Sequence, residues 1–364
     1  MRQLIGLVCT NYNDSSFGAL TKERPVASLP FGGRYRLVDF PLSNMVNSGI
    51  NTVGLTTPYM YRSIMDHVGV GKEWALSRKE GGMFILPGSI YGYKNIQGQF
   101  LMRDLLRNIE FLERADSGSI LAVSGARKVF NIDYREAAKE HERSGAEITL
   151  ICTRAENRQG MFVTLDDGGR VTEMEERSGD GLLFIDSFLI DTALLLKLAE
   201  WYDALGYLDL TEIIRQNLPN IRTSCWKFRG YVGCVDSLSD YMRCNMDLLH
   251  HSGRRELFMS GVTVRTKIQD SPPAKYMDGA RVSNALISSG CIIRGTVENS
   301  VIFRGVTVEK GAFIKNSIVM QGGTVGAGAV LENVISDKYA HVSPGVSLIG
   351  VKDNPVVIGK YMRI

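Results

Sequence analysis

The tightest constraint on the fold lies in the C-terminal part of the chain. Val282, Ile287, Ile293, Val297, Ile302, Val308, Ile314, Val319, Val325, Val330, Ile335 and Val342 recur at gaps of four to seven residues. The mean gap is about 5.5 residues, near the hexapeptide repeat of a β-helix. Gly, Ser, Asn and Thr fill the positions between. β-Branched residues stiffen χ1 and glycine costs backbone entropy in a helix, so an α-helical reading fails. A β-sandwich is the competing architecture, but it does not call for a near-six spacing held over so many turns. A left-handed parallel β-helix is therefore expected. Ser271-Pro272-Pro273-Ala274-Lys275 reads as the segment that feeds it. Repeat domains leave open faces that bury well against neighbours. The apolar stretches at 286–303 and 313–320 are expected to supply such a surface for self-association.

Residues 1 to about 250 behave differently. Leu4–Cys9, Thr52–Thr56, Ile120–Ser124, Glu147–Cys152 and Phe188–Ile190 read as buried strands. Between them, Leu101, Leu105, Ile109 and Leu112 share one helical face, and 193–201, 210–218 and 236–250 read as further helices. Strands alternating with helices predict a mostly parallel sheet covered on both faces. The 364 residues, 44% hydrophobic and 22% charged, allow two or three domains with a sizeable core. A net charge of +3 from 42 basic and 39 acidic residues gives no reason to invoke nucleic acid or a membrane. The six cysteines form no C-x-x-C and several lie in apolar runs, which predicts reduced, buried thiols and a cytoplasmic protein. The start has no signal-peptide pattern, and no stretch approaches a membrane span.

A loop after the first strand of an α/β domain sits at the carboxyl edge of the sheet, where ligands bind. Here that loop is Asn11 to Gly49. Its second half reads Phe31-Gly32-Gly33-Arg34-Tyr35-Arg36-Leu37-Val38-Asp39-Phe40-Pro41-Leu42-Ser43-Asn44, then Asn47-Ser48-Gly49-Ile50. This stretch resembles the ADP-glucose pyrophosphorylases (glucose-1-phosphate adenylyltransferases), nearest to their non-catalytic regulatory (GlgD-type) subunits. The resemblance runs through almost the whole chain. It implies an α/β, Rossmann-like nucleotidyltransferase domain of the GT-A type over 1–252, a linker over 253–279 and a left-handed β-helix over 280–364.

The opening of the loop departs from the family. Where the family has G-G-x-G-T-R-L, this chain has Asn11-Tyr12-Asn13-Asp14-Ser15-Ser16-Phe17. The reacting arginine falls on Ser16, and the lysine of K-P-A falls on Val26. A phosphate-cradling loop needs glycines so that backbone N–H groups can approach the anion. Asp14 would oppose a triphosphate by on the order of 4 kcal/mol at ~4 Å and an effective dielectric of ~20. The Mg²⁺ that an active homologue requires needs oxygen ligands. The family's A-G-D-H aspartate falls on Ala126, with Arg127 and Lys128 following, and its D-V-G-T aspartate falls on Cys234. Asp236, two residues on, is read as a helix cap. The adenine-contacting G-T-A-D-A is absent around Phe100–Asp104. The sugar-binding E-K-P becomes Glu175-Glu176-Arg177, and the D-F-G-K region becomes Leu208-Asp209-Leu210-Thr211. Each lost charge-stabilising group is worth ~3 kcal/mol of barrier, so two or three leave a rate about a millionfold down. His250-His251 reads as a helix end beside Gly253 rather than a metal pair.

These residues predict no catalytic group, no cofactor and no metal of its own. The resemblance implies a regulatory subunit that joins a catalytic subunit in making ADP-glucose for bacterial glycogen synthesis. An active sugar-1-phosphate nucleotidyltransferase is the enzyme alternative. A hexapeptide-repeat acyltransferase would have only His341 as its histidine on the β-helix, and a homomeric binding protein is a further reading. Lys22, Arg24, Arg34 and Arg36 put four cations within fifteen residues, opposed by Glu23. Arg24 and Arg36 match family positions near the site for anionic metabolites, so these four are expected to form a pocket for a phosphorylated effector.

Overall fold

The computed structural model describes residues 2–10, 15–57, 60–88, 100–116, 118–202, 208–259 and 262–364. The chain divides into two compact units, neither continuous in sequence. The first comprises 1–13, 38–232 and 262–265, and the second 14–37, 233–261 and 266–364.

Among the described residues, the first unit holds a seven-stranded sheet. Its strands are β1 (Leu4–Cys9), β2 (Thr52–Thr57), β3 (Gly82–Pro87), β4 (Ile120–Gly125), β5 (Ile148–Leu165), β6 (Val171–Asp191) and β7 (Thr223–Phe228). The spatial order is β7-β5-β6-β4-β1-β2-β3. Only β6 runs antiparallel to its neighbours, so the sheet is mostly parallel and Rossmann-like. Central strands β1 and β4 are buried almost throughout, which is why they read as continuous apolar runs. β5 and β6 run far beyond the residues expected for them. Past Cys152 burial becomes intermittent: Arg154, Glu156, Gln159 and Glu173 are exposed while Phe162, Val163, Val171 and Met174 are buried, so the continuous apolar signal stops while the pairing continues. The helix expected over Leu101–Leu112 is two helices, Met102–Arg107 and Ile109–Glu113. Asn108 breaks it, its side chain bonding the carbonyls of Asp104 and Pro87 at 2.7 and 3.2 Å.

In the second unit, three five-stranded parallel sheets form the walls of a left-handed β-helix. Ile293, Val308, Val325 and Val342 line one wall from inside, Val297, Ile314 and Leu331 the second, and Ile302, Val319 and Ile358 the third, all buried. Three repeat positions differ from expectation. Strand Val330–Glu332 points Leu331 inward and leaves Val330 half-buried. Ile335 shares a row with Val301 and Ile318, on the outer face of the third wall. Val282, in the outermost strand of its wall, is 37% exposed. The coil repeat holds at 17 residues from Val297 through Ile314 to Leu331, so a count of about 5.5 residues per wall falls one position short at Val330, and adjacent strand positions face opposite sides.

The outer face of the third wall is already covered. Val301, Phe303, Ile318, Met320 and Ile335 are at most 3% exposed. Residues 15–37 lie against this wall as an extended arm, with Ser288 donating to the Gly33 carbonyl at 2.9 Å. The apolar stretches 286–303 and 313–320 are thus largely buried within the chain and do not form the open association face expected of them.

One corner of the prism carries Asn284, Asn299, Asn316 and Asn333, all left-handed with φ of 43° to 51°. Asn284 donates to Asn299 at 2.8 Å and Asn299 to Asn316 at 2.6 Å, so the turns are stitched coil to coil. Asparagine tolerates this backbone because its short amide bonds locally. Asn316→Ala should lower unfolding free energy by about 1–2 kcal/mol in chemical denaturation, with Asn316→Gly costing less.

Candidate functional site

The stretch that carries the family resemblance, 31–50, is structural at nearly every position. In the first unit, helix α1 (Asp39–Asn47) is the hub. Asp39 meets His67 at 2.6 Å in a buried pair. Asn44 donates to the Phe130 carbonyl at 3.0 Å and accepts from the Ile132 amide at 3.2 Å. Ser48 accepts from the Tyr134 amide at 2.8 Å, and Ser43 from the Arg265 amide at 2.9 Å. Buried polar groups of this kind are retained only when partnered, and here each one ties a different segment to the helix.

In the second unit, Pro30–Phe31 and Tyr35–Arg36 form a short antiparallel ribbon closed by Gly32, Gly33 and Arg34. Both glycines have positive φ, 55° and 80°. A Cβ on Gly33 would come within 2.5 Å of the Leu286 and Ser288 side chains, and one on Gly32 within 2.8 Å of Leu248. Helix α2 (Leu238–Asp247) clamps the ribbon from the other side. Asn245 accepts from the Gly32 amide at 2.9 Å, and the buried Tyr241 hydroxyl donates to the Pro30 carbonyl. Burial pushes that hydroxyl's pKa up, keeping it a donor.

The arm then delivers charge to a β-helix corner. Arg24 is 5% exposed. Its guanidinium pairs with the buried Asp337 carboxylate, and its Nε donates to the Leu20 carbonyl at 2.9 Å. The Lys338 amide donates to the same carboxylate at 2.6 Å. Lys338 itself is half-buried, and its ammonium pKa is pushed down to about 7. Burial is the largest cause, followed by repulsion from Arg36 and Arg24; Asp337 opposes the shift, and Lys360 adds to it. Of the four cations expected together, Arg24 and Arg36 therefore both act on Lys338 through their charge. Lys22 is exposed on the arm, and Arg34 is exposed with its guanidinium 5.4 Å from the Tyr35 ring centre. Asp337, Lys338 and Lys360 were not anticipated. They are corner residues of a repeat some 300 positions away, and only the coil stacking brings them to the arm.

Asn11 to Asp14, where the family's glycine loop falls, lie outside the described residues. Ser16 is exposed on a 3-10 segment, Val26 and Ala126 are fully buried, and Cys234 is half-buried. Neither Ala126 nor Cys234 offers the oxygen that Mg²⁺ requires, so the residues present do not fit that ion at those positions. Among the described residues, no group of three or more His, Cys, Asp or Glu could hold a metal. Lys128 instead faces Asp186 at 3.8 Å. Asp209 caps the helix Leu210–Gln216 by accepting from the Thr211 amide at 2.8 Å. Asp236 is not a cap: Ser237 caps α2, accepting from the Asp240 amide at 3.1 Å. His250-His251 begins a second helix, α3 (His251–Phe258), rather than ending the first. A Cβ on Gly253 would lie 2.6 Å from the Asp247 carbonyl, so glycine permits this tight restart. No described helix is long and apolar enough to cross a membrane.

The profile described as "Nucleotidyl transferase" matches residues 17–238, and "GlmU-like, C-terminal hexapeptide" matches 272–355. The chain is 33% identical to "Glycogen biosynthesis protein GlgD" of Bacillus subtilis (strain 168), over 98% of this chain and 96% of that protein. It is 35% identical to the protein of the same description from Geobacillus stearothermophilus, with the same coverage. It is 30% identical to "Glucose-1-phosphate adenylyltransferase" of Thermotoga maritima, over 86% of this chain and 77% of that protein.

The burial of Arg24 has a consequence for mutagenesis. Arg24→Ala would leave Asp337 charged, buried and unpaired, a change that typically costs about 3–5 kcal/mol. The expected result in thermal unfolding is a marked loss of stability. A variant as stable as the parent would show that the pair contributes little.

Proposed function

The chain belongs to the glucose-1-phosphate adenylyltransferase family of nucleotidyl transferases, and from that premise we propose that it is a non-catalytic, regulatory subunit of that enzyme. It acts in the cytoplasm beside a catalytic subunit that makes ADP-glucose for glycogen synthesis. The observation that carries this reading is the set of residues at the reacting positions. Ser16, Val26, Ala126 and Cys234 supply neither a guanidinium, an ammonium nor a carboxylate there. Val26 and Ala126 are, besides, closed off from any ligand by complete burial. The match along 98% of the chain to proteins described as GlgD supports the glycogen role.

Assayed alone with Mg²⁺, ATP and glucose 1-phosphate, the chain should give no ADP-glucose above background. Mixed with a catalytic homologue, it should co-elute in size-exclusion chromatography and change that homologue's response to phosphorylated metabolites. Turnover by the isolated chain within about a hundredfold of an ordinary adenylyltransferase would sink the reading, since the lost groups account for far more.

The regulatory ligand is a phosphorylated metabolite. The pocket first read as Lys22, Arg24, Arg34 and Arg36 narrows to Arg36 and Lys338, with Arg24 holding Asp337 in place and Lys22 exposed nearby in sequence. Because Lys338 titrates near pH 7 when unliganded, a phosphate dianion favours its charged form, and binding takes up a proton. Affinity should therefore fall as pH rises through 7, and Lys338→Met should flatten that dependence. Without ligand the sign reverses: the unfolded chain holds the lysine proton up to 10.5, so folded stability should rise with pH between about 7 and that value. Isothermal titration with inorganic phosphate on either side of neutrality checks the first, and denaturation over the alkaline range the second.

A further inference from the structure

We propose that Cys225 is a modification site, where the sulfur takes up a small disulfide bearing carboxylates and holds it as a mixed disulfide in a cavity of about 530 Å³ on the first unit. The cavity lies toward the amino end of edge strand β7, between the helix Tyr134–Ser144 and the turn that joins β5 to β6. Arg170, just past that turn, bridges to Ser224 and closes the turn against the strand. Ligands of this fold bind at the opposite, carboxyl edge of the sheet. Four cations line the cavity, Arg143, Arg170, Arg222 and Lys227, against the carboxylate of Glu140. Glu140 engages Arg143 through two hydrogen bonds of 2.7 and 2.8 Å, and Arg222 lies 3.6 Å from Glu147. Among the described residues, Arg170 and Lys227 have no carboxylate partner; Arg170 donates to the Leu218 and Pro219 carbonyls, both at 3.0 Å. Like charges gathered in one concavity raise its potential and favour an anionic reactant.

The strand register supplies the chemistry. Cys225 pairs with Leu150 and Lys227 with Cys152, so Cys152, Cys225 and Lys227 share one face of the sheet. Cys152 is fully buried, and burial pushes its thiol pKa up, so it keeps its proton and donates it to the Cys225 sulfur. Accepting that bond lowers the Cys225 pKa; burial opposes the shift and the Lys227 ammonium adds to it. Burial raises the thiols of Cys9, Cys244 and Cys291 instead. Reactive cysteines sit in partly exposed, electropositive surroundings, and Cys225 is half-buried in such a place. Its thiolate attacks one sulfur of the incoming disulfide. That S–S bond breaks, a bond from Cys225 to the attacked sulfur forms, and the other half leaves as a thiolate with the electron pair and takes a proton from water. Cys225 is oxidised and the departing sulfur reduced, so no further oxidant is needed. Cys152 does not displace the adduct. A strand spacing of about 4.8 Å and a two-residue step of about 6.6 Å separate the two Cα atoms by about 8 Å, beyond the reach of about 7 Å that a disulfide spans. The proposal does not rest on the regulatory reading, because the reaction requires neither a catalytic partner nor the Lys338 corner.

The test treats the full reduced chain with dithiobis(nitrobenzoate), a dianionic disulfide, and with cystamine, a dicationic one, following thiol loss and the mass of the adduct. The parent should show one fast-reacting sulfur, placed by peptide mapping at Cys225. Oxidised glutathione should add one tripeptide at the same sulfur. Cys225→Ser should lose the fast phase while keeping the parent's circular dichroism. Lys227→Gln changes an exposed side chain, and it should lower the ratio of the dithiobis(nitrobenzoate) rate to the cystamine rate by about threefold or more. The mapping uses the parent chain alone, so it stands even where a variant fails to fold. A fast phase that maps to Cys234 or survives in Cys225→Ser overturns the site, as does a parent with no fast phase. An unchanged ratio in Lys227→Gln overturns the choice of an anionic disulfide. Loss of the Cys152 and Cys225 thiols together without an adduct overturns the mixed disulfide, since the two sulfurs would then have closed on each other.

Discussion

The second unit depends on one buried ion pair. Residues 15–37 contain nothing more regular than 3-10 turns and a two-residue ribbon, so they cannot hold a position by their own backbone bonding. Arg24 supplies the anchor. Its guanidinium and the Asp337 carboxylate are both nearly inaccessible to water, and such a pair is tolerable only when its remaining hydrogen-bonding capacity is met. The Leu20 carbonyl and the Lys338 amide meet part of it. Phe17 and Leu20, buried on the same segment, add about 1.5–3 kcal/mol each. Further along, Tyr241, Asn245 and the two glycines fix the ribbon at its other end. The outer face of the third β-helix wall stays apolar because this arm covers it.

The same arrangement explains why the family's most recognisable stretch has structural work of its own in this chain. Asp39, Ser43, Asn44 and Ser48 each satisfy a buried partner within the first unit, while Gly32 and Gly33 permit close approach within the second. None of these roles involves a nucleotide. Substituting any of them removes a packing contact or orphans a polar group. Val26 and Ala126 make the point from the opposite direction. Both are fully buried apolar residues that contribute to packing.

Charge in the second unit is arranged in columns along the prism rather than in sequence. A parallel β-helix stacks equivalent turn residues about 4.8 Å apart, so cations far apart in the chain share one corner. Lys338 shows the effect most clearly, its pKa pushed down to about 7 by burial and by arginines from a segment three hundred residues earlier. A side chain poised at neutral pH responds to any anion that approaches it.

Much of the fold was legible because it rests on local periodicity. The near-six spacing specified the β-helix, and uninterrupted apolar runs specified β1, β2 and β4, since both signals reflect burial on fixed faces. Tertiary structure decided the rest. Where β5 and β6 continue past their fully buried segments, pairing persists through exposed residues such as Gln159, Glu173 and Glu175, with no continuous apolar run to mark it. Leu331 rather than Val330 points inward because the strand pairs in register 17 residues on from Ile314, and only the coil stacking sets that register. Lys22, Arg24, Arg34 and Arg36 looked alike as a run of cations. Folding buried Arg24 against Asp337, brought the charge of Arg36 to bear on Lys338, left Lys22 in water and set Arg34 over the Tyr35 ring. Sequence proximity bounds which charges are available, but a charge's role depends on its partners and its access to water, and those come from residues that only the folded chain brings near.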